Sequence, residues 1–263
     1  MKKYKDGEWM NQQYWVNGLC PRQIGELCSA GQSTIQRWMI RLNIPLRSRG
    51  EAFHLRQGNH CNLSLKAKEW INGELLGDGC LIAYKNYSAR FSYSSKHLEY
   101  IQYISKTLAS FGIKQGGNLR KRYFVKNNYY CYNYQSLAYP ELFLIWKNWY
   151  PGGKKAVPVN LILTPLTTRQ WYIGDGTLAC YPKRKKTRPR ITLYTCGFLP
   201  CDVQQLIRQL KAIDLIVNYQ LPSNSIAISA YSTKDFLNYI GNCPIACYQY
   251  KWDYCIGGKK CNQ

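Results

Sequence analysis

Apolar and polar positions change rhythm along the chain, and the changes mark its elements. Residues 1–16 are polar and aromatic, which predicts an N-terminal helix with Trp9 and Trp15 packed on the neighbouring elements. Residues 17–50 have helical spacing in two runs. Ile24 and Leu27 follow Pro21, a residue suited to a first helical turn, and Ile35, Trp38, Met39 and Leu42 follow the turn Ser29-Ala30-Gly31. Ser33 or Thr34 is placed to cap the second helix. Periodicity fades over 51–66, which reads as a linker. An apolar helix-like run then ends at Gly79. Strict alternation over Ala89–Ser94 predicts a strand with Arg90, Ser92 and Ser94 on one face. Lys96–Phe111 is helical, Asn118–Val125 and Tyr129–Ser136 are strand-like, and Tyr139–Trp149 is helical before Pro151-Gly152-Gly153.

The same order then returns. A second apolar run ends at Gly176, and Arg190–Cys196 alternates with Arg190, Thr192 and Tyr194 on one side. A helix over Val203–Leu215, strands over Asn218–Leu221 and Ser225–Ala230, and a helix over Thr233–Ile240 complete it. The expected fold is α+β: two pseudo-symmetric αββαββα repeats with antiparallel sheets, plus a small all-α helix-turn-helix domain. The expected divisions are 1–50, a linker at 51–66, a first repeat at 67–153 and a second at 154–263.

Each repeat opens on a helix that ends in Gly-Asp-Gly, at Gly77-Asp78-Gly79 and Gly174-Asp175-Gly176. One copy alone is more simply an ordinary capped turn; two copies in matching context point to shared chemistry. Gly73 and Gly77 lie on one helix face, where small residues let two helix backbones approach. Gly79 could stop the helix with a positive φ. Asp78 then sits at a negative helix end, and a paired second copy brings Asp175 to the same place. Two such carboxylates raise each other's pKa unless a hard divalent cation joins them. Gln170 stands where the first copy has Gly73, which works against close packing on the second helix.

Thirty-six Lys and Arg against 14 Asp and Glu leave a formal net charge of +22 in 263 residues. That excess calls for an anionic partner, nucleic acid first and an anionic membrane second. No long apolar run or secretory segment appears, so an intracellular protein is expected, in a bacterial cytoplasm or an organellar matrix or stroma, and not a secreted one. The 12 cysteines show no CxxC pair and read as reduced thiols, and His54, His60 and Cys61 as linker residues. On the second helix of 17–50, Gln32, Ser33, Thr34, Gln36, Arg37 and Arg41 form a polar side, the layout of a recognition helix for the major groove. A plain helical hairpin has the same apolar pattern. Lys85, Arg90, Ser92, Arg120 and Arg122 in the first repeat are candidate DNA contacts. Lys183, Arg184, Lys185, Lys186, Arg188, Arg190 and Thr192 are those of the second, where six of eight residues in Lys183–Arg190 are basic.

Ile71–Gly79 (INGELLGDG) and Thr168–Gly176 (TRQWYIGDG) resemble the paired motifs of single-chain LAGLIDADG homing endonucleases. The likeness extends through Lys154-Lys155-Ala156-Val157-Pro158 and Leu163-Thr164-Pro165-Leu166, over about residues 66–255. It implies a monomeric, site-specific double-strand DNA endonuclease that cuts a long pseudo-palindromic site and leaves 3′ overhangs. It further implies Mg²⁺ or Mn²⁺ held by Asp78 and Asp175, with the carbonyls of Gly77 and Gly174 as additional ligands. By motif position, Lys155 and Lys251 are the basic catalytic residues. The same family fold also serves intron RNA maturases and non-cutting DNA-binding regulators, so intron RNA is the alternative partner.

Overall fold

The computed structural model describes residues 2–52, 58–84, 87–125, 128–179, 189–253, 255–256 and 259–260. The chain forms two compact units, 1–59 and 60–263.

In the first unit, α1 (Gly7–Asn11) continues into a π-helical turn (Gln12–Val16), followed by α2 (Pro21–Cys28) and α3 (Gln32–Arg41). The Asp6 carboxylate accepts from the backbone N–H of Glu8 and Trp9 at 3.0 and 3.2 Å, which caps α1. Tyr4, Met10, Tyr14, Ile24, Ile35, Met39 and Ile44 make the core, with Trp9 at its margin. Trp15 does not join them. Met10 and Tyr14 are four apart and share the inner face, so the next residue points outward. Leu27 is exposed as well, and the buried neighbour of Ile24 is Gly25, whose added Cβ would strike the Ala30 carbonyl. Ser29 makes the turn in the left-handed region at φ 51°, and Gly31 is the N-cap of α3 without a side-chain bond. Neither Ser33 nor Thr34 caps it, because the helix begins ahead of both.

The second unit carries α4 (Leu65–Leu76), β1 (Cys80–Tyr84), β2 (Ser88–Ser95), α5 (Leu98–Ser110), β3 (Arg120–Phe124), β4 (Tyr129–Gln135) and α6 (Pro140–Trp149). It then repeats the order as α7 (Pro165–Asp175), β5 (Gly176–Ala179), β6 (Arg190–Tyr194), α8 (Pro200–Lys211), β7 (Val217–Gln220), β8 (Ser225–Ile228) and α9 (Thr233–Ile240). Two antiparallel sheets result, ordered β1-β2-β4-β3 and β5-β6-β8-β7. The expected αββαββα duplication is present. Helix α4 begins at Leu65, inside the stretch read as a linker. Cys61 and Leu63 are buried in the core, and His60 Nδ1 lies 3.1 Å from Glu141 Oε1. His54 falls outside the described residues. α8 starts three residues earlier than its apolar pattern suggests, with Pro200 in its first turn.

The registers of the two sheets correspond. Ser92 pairs with Cys80, two residues past Asp78, and Thr192 pairs with Thr177, two residues past Asp175. One face of each sheet is apolar and buried: Phe91, Tyr93 and Tyr134 in the first, Ile191, Leu193, Ile226 and Ile228 in the second. Alternation puts Arg90, Ser94, Arg120 and Arg122 on the opposite face of one sheet and Arg190, Thr192 and Tyr194 on that of the other. Every residue of β3 is exposed. No helix among the described residues is long and apolar enough to cross a membrane.

Candidate active site

Helices α4 and α7 pack directly on each other, and their sequences dictate how. Each begins at a hydroxyl N-cap: Ser64 Oγ accepts from the Ala67 N–H and Thr164 Oγ1 from the Thr167 N–H, both at 3.2 Å. Thr167 Oγ1 donates across the pair to the Glu69 carbonyl at 3.1 Å. Glycines let the backbones meet. A Cβ added to Gly77 would lie 3.2 Å from Gly174 Cα, and one added to Gly174 would lie 3.0 Å from the Asp78 nitrogen. A Cβ on Gly73 would strike the Thr167 carbonyl and come within 2.7 Å of Gln170 Cβ. Close packing therefore survives Gln170, because Gly73 gives up the room that its Cβ takes. Gly79 departs from expectation, for its φ is not positive. It is small because a Cβ there would approach the Glu74 carbonyl to 2.6 Å, the oxygen that its own N–H bonds at 2.8 Å.

Glu74 and Gln170 bury polar groups in this contact, and Tyr100 Oη donates to Glu74 Oε1 at 2.6 Å. Burial, with Asp78 adding repulsion, pushes the Glu74 carboxyl up to about 8, partly offset by the Tyr100 bond. Glu74 is thus protonated at neutral pH. Its Oε2 and Gln170 Nε2 have no partner among the described residues.

The two Gly-Asp-Gly segments close the same end of the helix pair. Burial and the repulsion of Asp78 raise the Asp175 carboxyl to about 6, against the pull of Lys155 and Lys251. Tyr93 Oη donates to Asp78 Oδ2 at 3.4 Å. Lys155 Nζ donates to the carbonyls of Gly77 and Gly79 at 3.2 and 2.9 Å. Lys251 Nζ donates to those of Tyr172, Ile173 and Gly174 at 3.3, 2.6 and 3.4 Å, while Tyr172 Oη donates to the Lys251 carbonyl at 2.6 Å. Desolvation lowers both lysines, Lys251 to about 8, and both feel Asp78 and Asp175. The largest charge pull on Lys251 among the carboxylates comes from Asp78, and on Lys155 from Asp175. Each lysine is therefore anchored on the backbone of one repeat's motif and feels the charge of both carboxylates. Two carboxylates and two backbone carbonyls offer only oxygen donors, the set that suits a hard divalent cation. The carbonyls of Gly77 and Gly174 already accept from lysine and keep a second lone pair.

The remaining candidates lie on surfaces of each unit. Arg120, Arg122 and Arg190 are exposed and Arg90 and Thr192 partly so, all on the polar sheet faces. Ser92 shares that face but is only 5% exposed, beside Cys80. Gln32, Ser33, Arg37 and Arg41 are exposed on α3, and Thr34 and Gln36 partly so. Arg41 lies over the Trp38 ring at 5.2 Å. Lys85, Lys183, Arg184, Lys185, Lys186 and Arg188 fall outside the described residues. Sequence reasoning passes over Glu74, Tyr93 and Tyr248. Glu74 carries a signal that could have found it, a charged residue between Gly73 and Leu75-Leu76 in the buried end of the helix. Tyr93, bonded to Asp78, and Tyr248, which lines a cleft with Asp78 and Lys251, reach the site through the tertiary fold.

The sequence profile described as the LAGLIDADG DNA endonuclease family matches residues 68–236. The chain is 27% identical over 218 residues to the uncharacterized protein MJ1098 of Methanocaldococcus jannaschii, covering 78% of this chain and 77% of that one. It is 25% identical over 159 residues to the cytochrome b mRNA maturase bI2 of Debaryomyces hansenii, covering 54% of each. Among solved structures, the homing endonuclease I-WcaI bound to its DNA recognition sequence matches with a TM-score of 0.66 at 20% identity. That match covers 81% of this chain and 97% of the other, and is a likeness of fold.

Proposed function

The chain belongs to the LAGLIDADG DNA endonuclease family, and from that premise we propose that it is a site-specific endonuclease that hydrolyses both strands of a long, nearly palindromic DNA site. The observation that carries this reading is the pairing of Asp78 and Asp175 at one end of the α4–α7 contact, with Lys155 and Lys251 beside them. Asp78 and Asp175, with the carbonyls of Gly77 and Gly174, would hold Mg²⁺ or Mn²⁺. Such an ion, when bound, lowers the pKa of an attacking water and stabilises the departing 3′ oxygen. Lys155 and Lys251 supply fixed positive charge toward the scissile phosphates, and their carbonyl bonds hold each ammonium in place before DNA arrives. The basic sheet faces contact phosphates and base edges in the major groove. The α3 side chains Gln32, Ser33, Gln36 and Arg37 add a second contact on the same duplex.

The likeness to an mRNA maturase favours a second reading, in which the basic surface binds intron RNA. The test is cleavage of a plasmid library of randomised or host-locus DNA in Mg²⁺, with the ends sequenced. Double-strand cuts at one long site with 3′ overhangs are the expected result. Tight binding of one site without a cut would replace the nuclease by a regulator, and no specific DNA binding would leave the RNA reading.

A further inference from the structure

The two halves of the site are not chemically equal. A cleft of about 540 Å³ opens beside Asp78, and Lys251, Lys96, His97 and Tyr248 line it with Gly174. Helix α5 begins only at Leu98, so Lys96 and His97 lie in the bend between β2 and that helix. Ser95 Oγ accepts from the His97 N–H at 3.1 Å, and the His97 ring meets Tyr248 edge-on at 5.2 Å, which fixes the bend. Neither ring nitrogen of His97 makes a hydrogen bond and Lys96 makes no ion pair among the described residues. Both side chains are available to a ligand in a cleft that contains Asp78.

The sheet registers identify the matching place in the second repeat. Ser92 corresponds to Thr192, each paired two residues past its aspartate, so counting from the strands sets Lys96 and His97 against Cys196 and Gly197; α8 begins two residues later than α5 on this count, and counting back from the helix starts sets them against Phe198 and Leu199. None of those carries a cation. Cys196 Sγ lies 3.5 Å from the Ser223 carbonyl, and a Cβ on Gly197 would meet nothing within 4 Å.

We propose that Lys96 and His97 contact the scissile phosphate of one strand only, so that the strand cut beside Asp78 is cut faster and a nicked duplex precedes the double-strand break. The proposal rests on the endonuclease reading and adds an order of events to it. Donors aimed at developing phosphate charge act on the rate of the strand that they touch.

The experiment uses a supercoiled plasmid carrying the site recovered from the library, with each strand followed separately in Mg²⁺. Wild-type protein should nick one strand first, always the same one. Lys96→Ala with His97→Ala should slow that strand about tenfold and leave the other within about twofold. Binding of the same site in Ca²⁺ measures any loss of affinity. Cys196→Lys with Gly197→His, placed in open space, should speed the slower strand. Equal strand rates in the wild-type protein, or a variant that slows both strands alike, would overturn the proposal while leaving the nuclease reading intact. A wild-type protein that cuts neither strand would overturn the nuclease reading, and this proposal with it.

Discussion

Glu74→Gln isolates the buried carboxyl between the two motif helices. The substitution keeps the shape of the protonated acid and the acceptor for Tyr100 Oη. Glu74 titrates at about 8 in the folded protein against an ordinary value of 4.5. Between those values the folded chain holds a proton that the unfolded chain has released, so stability falls as pH rises. At 1.36 kcal/mol per unit, a window of roughly 3.5 units corresponds to a loss of about 5 kcal/mol, absent in the glutamine variant. Most of the window lies above pH 5. Glu74→Gln should therefore gain about 4 kcal/mol on the wild-type protein between about pH 5 and pH 8. Urea melts of the full chain, read for the transition of the 60–263 unit, measure the difference at both ends of that range. An equal difference at the two ends would refute a carboxyl held protonated by burial.

Gly174→Ala should cost about 1–3 kcal/mol by crowding the Asp78 backbone, and cutting should fall further than the lost stability explains. Asp175 titrates at about 6, so proton competition should weaken Ca²⁺ binding about tenfold per pH unit below that value, measured calorimetrically with the recovered site bound. Lys251→Met should reduce the cutting rate by about a hundredfold while affinity for the site in Ca²⁺ changes little, as filter binding would show.

Much of this architecture is legible in the order of residues. Two apolar runs ending in Gly-Asp-Gly, with the same alternation after each, suffice for the duplicated αββαββα pattern. The shared face of Arg120 and Arg122 follows from period two alone. Other features depend on which side chains the fold brings together. Gly79 is small because the Glu74 carbonyl lies against it, and Gln170 is tolerated because Gly73 faces it; neither contact has a local signature. Lys96 reads as the first residue of a helix, since spacing cannot tell a helix start from the bend before it. Leu27 satisfies a helical apolar stripe but is left exposed among the described residues.

Asp78→Asn and Asp175→Asn, each measured alone for double-strand cutting in Mg²⁺ and for binding in Ca²⁺, test the paired-carboxylate centre most directly. Each variant should lose at least about a thousandfold in cutting rate and keep its affinity for the site within about tenfold. A protein that still cuts both strands after either substitution would contradict a centre built jointly by the two repeats.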